Sequence, residues 1–197
     1  MKTLLTMALV LIMAGSAFAQ LDNSIGVFFS DTELTEANTN ADPAASTPFA
    51  GYIALLMPTQ QSVGGYEVSL TVPATVLALS VTGPNGWTNF GDNFNHLAGY
   101  QTPLPTPADA VLCTYSFLSL DGGAGEMYMG ASEPSSVDGA GPAIADGANP
   151  DDLFVCNYTS GPDEGGLVAT LHGPGITFPD VVATQNASLS GVKALFQ

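Results

Sequence analysis

The chain has two histidines, His96 and His172, and 18 acidic side chains with which either could work. No H-E-x-x-H, C-x-x-C or G-x-S-x-G motif accompanies them, so no metalloprotease, redox or nucleophile-elbow signature is present. A Ser-His-Asp triad is assembled by the fold and leaves no local signature. A glycosidase pair needs only two carboxylates at a fixed separation, a condition that 18 acids meet by chance. His172 precedes the turn Gly173-Pro174-Gly175 and His96 stands in an aromatic loop. Both are expected in ordinary surface or capping roles. No catalytic residue is assigned, and an enzyme is not expected.

Three other groups could bind something. Asp146, Asn149, Asp151 and Asp152 offer several oxygens within seven residues, the ligand type that calcium takes from flexible loops. Their spacing departs from the EF-hand loop, Pro150 constrains it, and the competing reading is an Asx-rich turn that caps backbone amides. Calcium is the one cofactor for which the chain offers ligands. Trp87, Phe90, Phe94 and Tyr100 crowd one segment and could stack sugar rings, against the alternative that they pack in the interior. Glu67, Ser69 and Thr71 form the polar phase of an alternating strand, a face or edge that a protein partner could use.

The surrounding chain constrains these options. Met1-Lys2-Thr3, the apolar run Leu4–Ala14 and Ala17-Phe18-Ala19 have the order of a secretory signal peptide, cut before Gln20. The run is shorter than the ~20 residues of a spanning helix. Removing 19 of the 197 residues leaves 178, which suits one domain over 20–197. The only basic residues are Lys2 and Lys193, so once Lys2 is removed the formal charge is −17. Nucleic-acid binding needs cations to displace phosphate counterions, and this chain lacks them. Anionic membranes are excluded on the same ground. The expected location is secreted, periplasmic or at the cell surface. Two cysteines, Cys113 and Cys156, in an oxidising compartment predict a disulfide; two buried free thiols are the alternative.

The elements that must position these groups are strands. Gly (22) and Pro (14) punctuate the chain, and no helical period is evident. Strands are expected at 25–29, 49–57, 66–72, 75–82, 110–120, 126–129, 153–158, 167–172 and 176–182. The clearest alternation puts Tyr66, Val68, Leu70 and Val72 on one face. Leu77, Leu79 and Val81 share a phase, as do Val111, Cys113, Tyr115 and Phe117. Residues 85–107 and 133–150 read as long loops. The fold class is all-β: an antiparallel two-sheet sandwich, immunoglobulin-like or jelly-roll-like, of about nine strands.

The order of Thr47-Pro48-Phe49, Val63–Leu70, Leu77–Thr82 and Ala110–Phe117 resembles the cohesin-type and carbohydrate-binding-module-type β-sandwich. Gly99–Pro105, Asp146–Leu153 and the tail Val192–Phe196 are similar to segments of uncharacterised exported bacterial proteins. Cohesins usually carry Tyr-Asp-Pro after the second strand's turn. Here Thr71-Val72-Pro73 stands there, without the Asp. The resemblance implies a non-catalytic extracellular module that engages a protein partner or serves adhesion and assembly. Carbohydrate binding is the alternative.

Overall fold

The computed structural model describes residues 21–179. Residues 1–19, expected to be a signal peptide, and residues 180–197 lie outside that range. Thirteen strands form two sheets among the described residues. The smaller sheet contains β1 (Ser24–Phe28), β3 (Thr47–Leu56), β5 (Val76–Thr82), β8 (Ala110–Ser119) and β12 (Asn157–Tyr158), in the order β12-β1-β3-β8-β5. The larger contains β2 (Asn40–Ala41), β4 (Ser62–Thr71), β6 (Thr88–Asn89), β7 (Asn95–Pro105), β9 (Gly125–Gly130), β10 (Ala143–Asp146), β11 (Leu153–Val155) and β13 (Leu167–Leu171). There β4 takes β10 and then β9 along one margin and β7 along the other, with β6 outside β7. All pairs are antiparallel except β1–β12 and β2–β13. The expected sandwich is therefore present, with more and shorter strands and two parallel pairs.

Alternation builds the core. Tyr66, Val68 and Leu70 of β4 face inward, as do Cys113, Tyr115 and Phe117 of β8. Ile25, Val27, Ile53, Leu55, Met127 and Val168 complete the layer between the sheets. Each large apolar side chain buried this way contributes roughly 1.5–3 kcal/mol. The strand β3, apolar in both phases, is central between β1 and β8. Its second face is covered too: Ala54 and Leu56, with Phe28 of the neighbouring β1, point away from the main core and pack with Leu34 and Phe178.

Two bulges change the expected phases. The β3–β8 register shifts between Ile53 and Ala54, where Cys113 and Val111 are the successive partners. Val111 is thereby moved off the Cys113 face and joins the second cluster. The β5–β8 register shifts between Ala78 and Ser80. Val76, Ala78 and Val81 pack inward, while Leu77 (45%) and Leu79 (53%) are exposed. A bulge inserts one residue and flips every side chain beyond it.

Other boundaries also differ. Residues 95–105, read as loop, form β7, the longest strand, because pairing to β4 and β6 overrides the Gly, Gln and Pro content. Residues 143–146 form β10 within the other expected loop. Residues 153–158 divide between β11 in the larger sheet and β12 in the smaller. No strand covers 176–179, and 180–182 lie outside the described range. Among the described residues no helix is long and apolar enough to cross a membrane.

Candidate functional site

The outer face of the larger sheet carries a groove of about 300 Å³. Its floor follows from alternation. With Tyr66 facing in, Gly65 and Glu67 face out; with His96 and Ala98 facing in, Leu97 and Gly99 face out. Gly65 pairs with Gly99 on one side and Ala145 on the other, so three small residues stand side by side. They leave a depression between the larger side chains of Leu97, Leu153 and Phe90. A Cβ on Gly65 would meet the Ala98 carbonyl at 2.5 Å, so the β4–β7 approach requires glycine there. Phe90 is 79% exposed, the most exposed large apolar side chain among the described residues.

Phe90 is exposed but firmly held. Its amide donates to Leu97 O at 3.0 Å. The Asn89 side chain accepts from the amides of Gly91 (3.1 Å) and Leu97 (2.9 Å). At the far end of the groove Glu67 secures the segment that follows β9. Its carboxylate accepts from the Ser136 amide at 2.9 Å, the Ser136 hydroxyl at 2.5 Å and the Ser132 hydroxyl at 3.4 Å. Asn95 donates to Glu133 O at 2.7 Å and accepts from the Glu133 amide at 2.8 Å. Of the outward residues Glu67, Ser69 and Thr71, Glu67 lines the groove, and its carboxylate is engaged by its own chain.

Directly beneath the groove floor lies a buried polar network. His96 is fully buried, not at the surface as the sequence suggested. Its Nδ1 is 2.8 Å from the Tyr66 hydroxyl and its Nε2 is 2.7 Å from the Tyr115 hydroxyl. Tyr115 donates to Asn93 O at 2.8 Å, and Trp87 Nε1 donates to the Tyr66 hydroxyl at 3.1 Å. One proton arrangement satisfies every donor: Trp87 to Tyr66, Tyr66 to His96 Nδ1, His96 Nε2–H to Tyr115, Tyr115 to Asn93. His96 is then neutral, and burial lowers its pKa from the ordinary histidine value. Burial also raises the pKa of Tyr66 and Tyr115, with the Cys113 sulfur adding to both shifts. The chain of bonds ties β4 and β7 to β8 of the opposite sheet. Through Trp87 it also holds the segment that presents Phe90.

The aromatic quartet is accordingly divided. Trp87 is half-buried against His96, with rings 5.9 Å apart. Phe94 stacks on Tyr115 at 6.5 Å. Tyr100 is buried and donates to Leu112 O at 2.9 Å. Only Phe90 of the four is exposed, so the expected sugar platform is not assembled. The acidic loop is a capped turn. Asp146 accepts from the Ala148 amide at 2.9 Å, and Asn149 donates to Asp152 at 2.6 Å. Among the described residues no three His, Cys, Asp or Glu side chains are grouped to hold a metal ion.

The expected Cys113–Cys156 bond is not formed; both cysteines are buried free thiols. Topology supplies the reason. Cys113 lies on β8, and Cys156 immediately precedes β12, three strands away in the same sheet. At ~4.8 Å per strand that separation is about 14 Å, well beyond the ~7 Å Cα limit of a disulfide. Burial pushes both thiols up to about 12. His172, the other histidine, pairs with Asp42 at 3.3 Å, and its Nε2 lies 3.0 Å from Pro43 O. Both ring nitrogens are therefore occupied, neither of them by a serine.

No protein-family model matches the chain, and no curated relative matches it by sequence. Solved structures do. The sixth cohesin of scaffoldin B from Acetivibrio cellulolyticus, solved in complex with a Cel5 dockerin mutant, is similar over 77% of this chain and 98% of its own, at 10% identity and a TM-score of 0.51. A non-cellulosomal cohesin from the archaeon Archaeoglobus fulgidus covers 77% of this chain and 90% of its own, at 11% identity and a TM-score of 0.46. The fold is a cohesin-like β-sandwich.

Proposed function

We propose that the chain is a secreted, non-catalytic binding module that docks a protein partner on the outer face of its larger sheet. The observation that carries this reading is the groove over Gly65 and Gly99, with Phe90 exposed at its rim on a rigid support. An exposed aromatic beside a preformed apolar depression is the composition of a binding hot spot. Rigid framing lowers the entropy lost on association. The Acetivibrio cohesin was solved with a dockerin protein, and the same class of ligand, a protein, is proposed here. The lack of Tyr-Asp-Pro at Thr71-Val72-Pro73 separates this chain from the usual cohesin pattern.

Secretion rests on the order of residues 1–19, and amino-terminal sequencing of the exported protein checks it: the first residue is expected to be Gln20. The non-catalytic reading is supported by the burial of His96 and by the engagement of both His172 nitrogens. The sugar alternative retains one exposed ring, Phe90, and predicts retention on insoluble polysaccharide.

The test is comparative capture from the native culture medium, using wild-type protein and Phe90→Asp as baits. A protein retained by the wild type and lost with Phe90→Asp is the expected result. An identical retained set for both baits overturns the assignment.

A further inference from the structure

The acids of this chain are segregated. Of 18 Asp and Glu, none lies in β1, β3, β5, β8 or β12, so the whole smaller sheet is free of charge. Residues 68–91, which include β5, also lack a charged side chain. At the same time the described residues contain no Lys or Arg. Two copies of this protein therefore repel each other across every surface that carries acids, with no Lys or Arg among the described residues to offset the repulsion. The smaller sheet is where that repulsion is weakest.

This sheet also has an open margin. β5 is the last strand of its sheet, and among the described residues no backbone hydrogen bond links Leu77–Thr82 to any element other than β8. Other sheet margins are blunted. β2, β6 and β12 have two residues each and β11 has three. Beyond β6, β7 carries Pro103 and Pro105, which donate no amide. β5 is seven residues long, about 23 Å at ~3.3 Å per residue. It has no charge or proline, and it exposes Leu77 and Leu79, with Leu120 (46%) beside its start.

We infer that β5 pairs antiparallel with β5 of a second copy, forming a two-fold dimer with one continuous ten-stranded sheet. Charge decides the occupant. A cationic partner would be drawn to the acid-bearing loops, whereas repulsion between like-charged copies is weakest over this neutral sheet, whose open margin is β5. A two-fold axis near Leu77, on the part of β5 that precedes the register shift at Leu79, sets Leu77 of one copy beside Leu77 of the other with Leu79 flanking the pair, as a self-complementary contact requires. The groove over Gly65 and Gly99 belongs to the other sheet and stays open on both copies. The dimer would then display two docking faces.

An interface of one strand is at the small end of specific contacts, so the dimer is expected to be concentration-dependent. Added salt is expected to strengthen it by screening the acids. Light scattering coupled to size exclusion, on protein up to roughly hundreds of micromolar, should show the mass double. Leu79→Glu and Leu77→Glu should each return it to the monomer value, with circular dichroism unchanged. Phe90→Asp, on the opposite sheet, should leave the dimer intact. Hydrogen exchange of the wild type needs no variant, and β5 amides should slow as concentration rises. A monomer at all concentrations and salts overturns the inference. So does a dimer that survives both glutamates, or one abolished by Phe90→Asp, which would move the interface to the groove.

Discussion

Tyr66→Phe removes one oxygen from the centre of the buried network. That hydroxyl accepts from Trp87 Nε1 and donates to His96 Nδ1, and Tyr66 is 2% exposed. The substitution removes the partner of the fully buried His96 Nδ1 and of the half-buried Trp87 Nε1. An unsatisfied buried group costs about 1–3 kcal/mol. Two such groups, partly relieved by relaxation, give an expected loss of about 2–4 kcal/mol. For a domain of this size that lowers Tm by about 4–16 °C. Urea titration followed by tryptophan fluorescence reads the same loss as a lower midpoint at unchanged slope. Tyr100→Phe is the control, because its hydroxyl bonds one backbone carbonyl, Leu112 O, and its expected loss is about 1 kcal/mol. If Tyr66→Phe stays within about 0.5 kcal/mol of wild type, the ordinary range of surface changes, the network does not hold the sheets together as argued.

Stability should fall in mild acid through His96. Its folded-state pKa is lowered by burial, so the unfolded chain takes up a proton below pH ~6.5 while the folded chain does not. This stabilisation is present above the ordinary histidine pKa and is lost as pH falls from there toward the folded value, by at most ~1.4 kcal/mol per pH unit. His96→Gln should flatten that part of the profile; an unchanged slope between pH ~6.5 and 5 counts against a neutral buried His96. Cys113 and Cys156 are buried, with pKa pushed up to about 12, so neither should react with a thiol reagent in the folded protein near pH 8. Both should react in denaturant without reductant, and zero reactive thiols there would reinstate the disulfide. Millimolar calcium should leave Tm unchanged, since Asp146 and Asp152 are used within their own turn; a rise abolished by chelator refutes that.

Alternation and turn residues carried the fold a long way. The phases of Tyr66–Leu70 and Cys113–Phe117 follow directly from period two, and they place the core. Bulges at Leu79 and near Val111 are invisible to that reasoning, because an extra residue is specified by the partner strand. β7 was hidden because Gly99, Pro103 and Pro105 argue for loop, while pairing on both margins decides for strand. Its inward phase, His96–Ala98–Tyr100, was the available signal that His96 is buried. The groove could not be read at all. It depends on Gly65, Gly99 and Ala145 lying side by side across three strands, a juxtaposition set by register alone. The sequence singled out Phe90, but for a ring cluster whose other members turned inward.

The proposed docking face is the groove beside Phe90. Titration of a captured partner against wild type and Phe90→Asp measures it directly. Loss of a central aromatic anchor is worth about 2 kcal/mol or more. Binding to Phe90→Asp is therefore expected to be at least ~30-fold weaker, with the melting temperature unchanged. Equal affinity for the two proteins would place the docking face elsewhere.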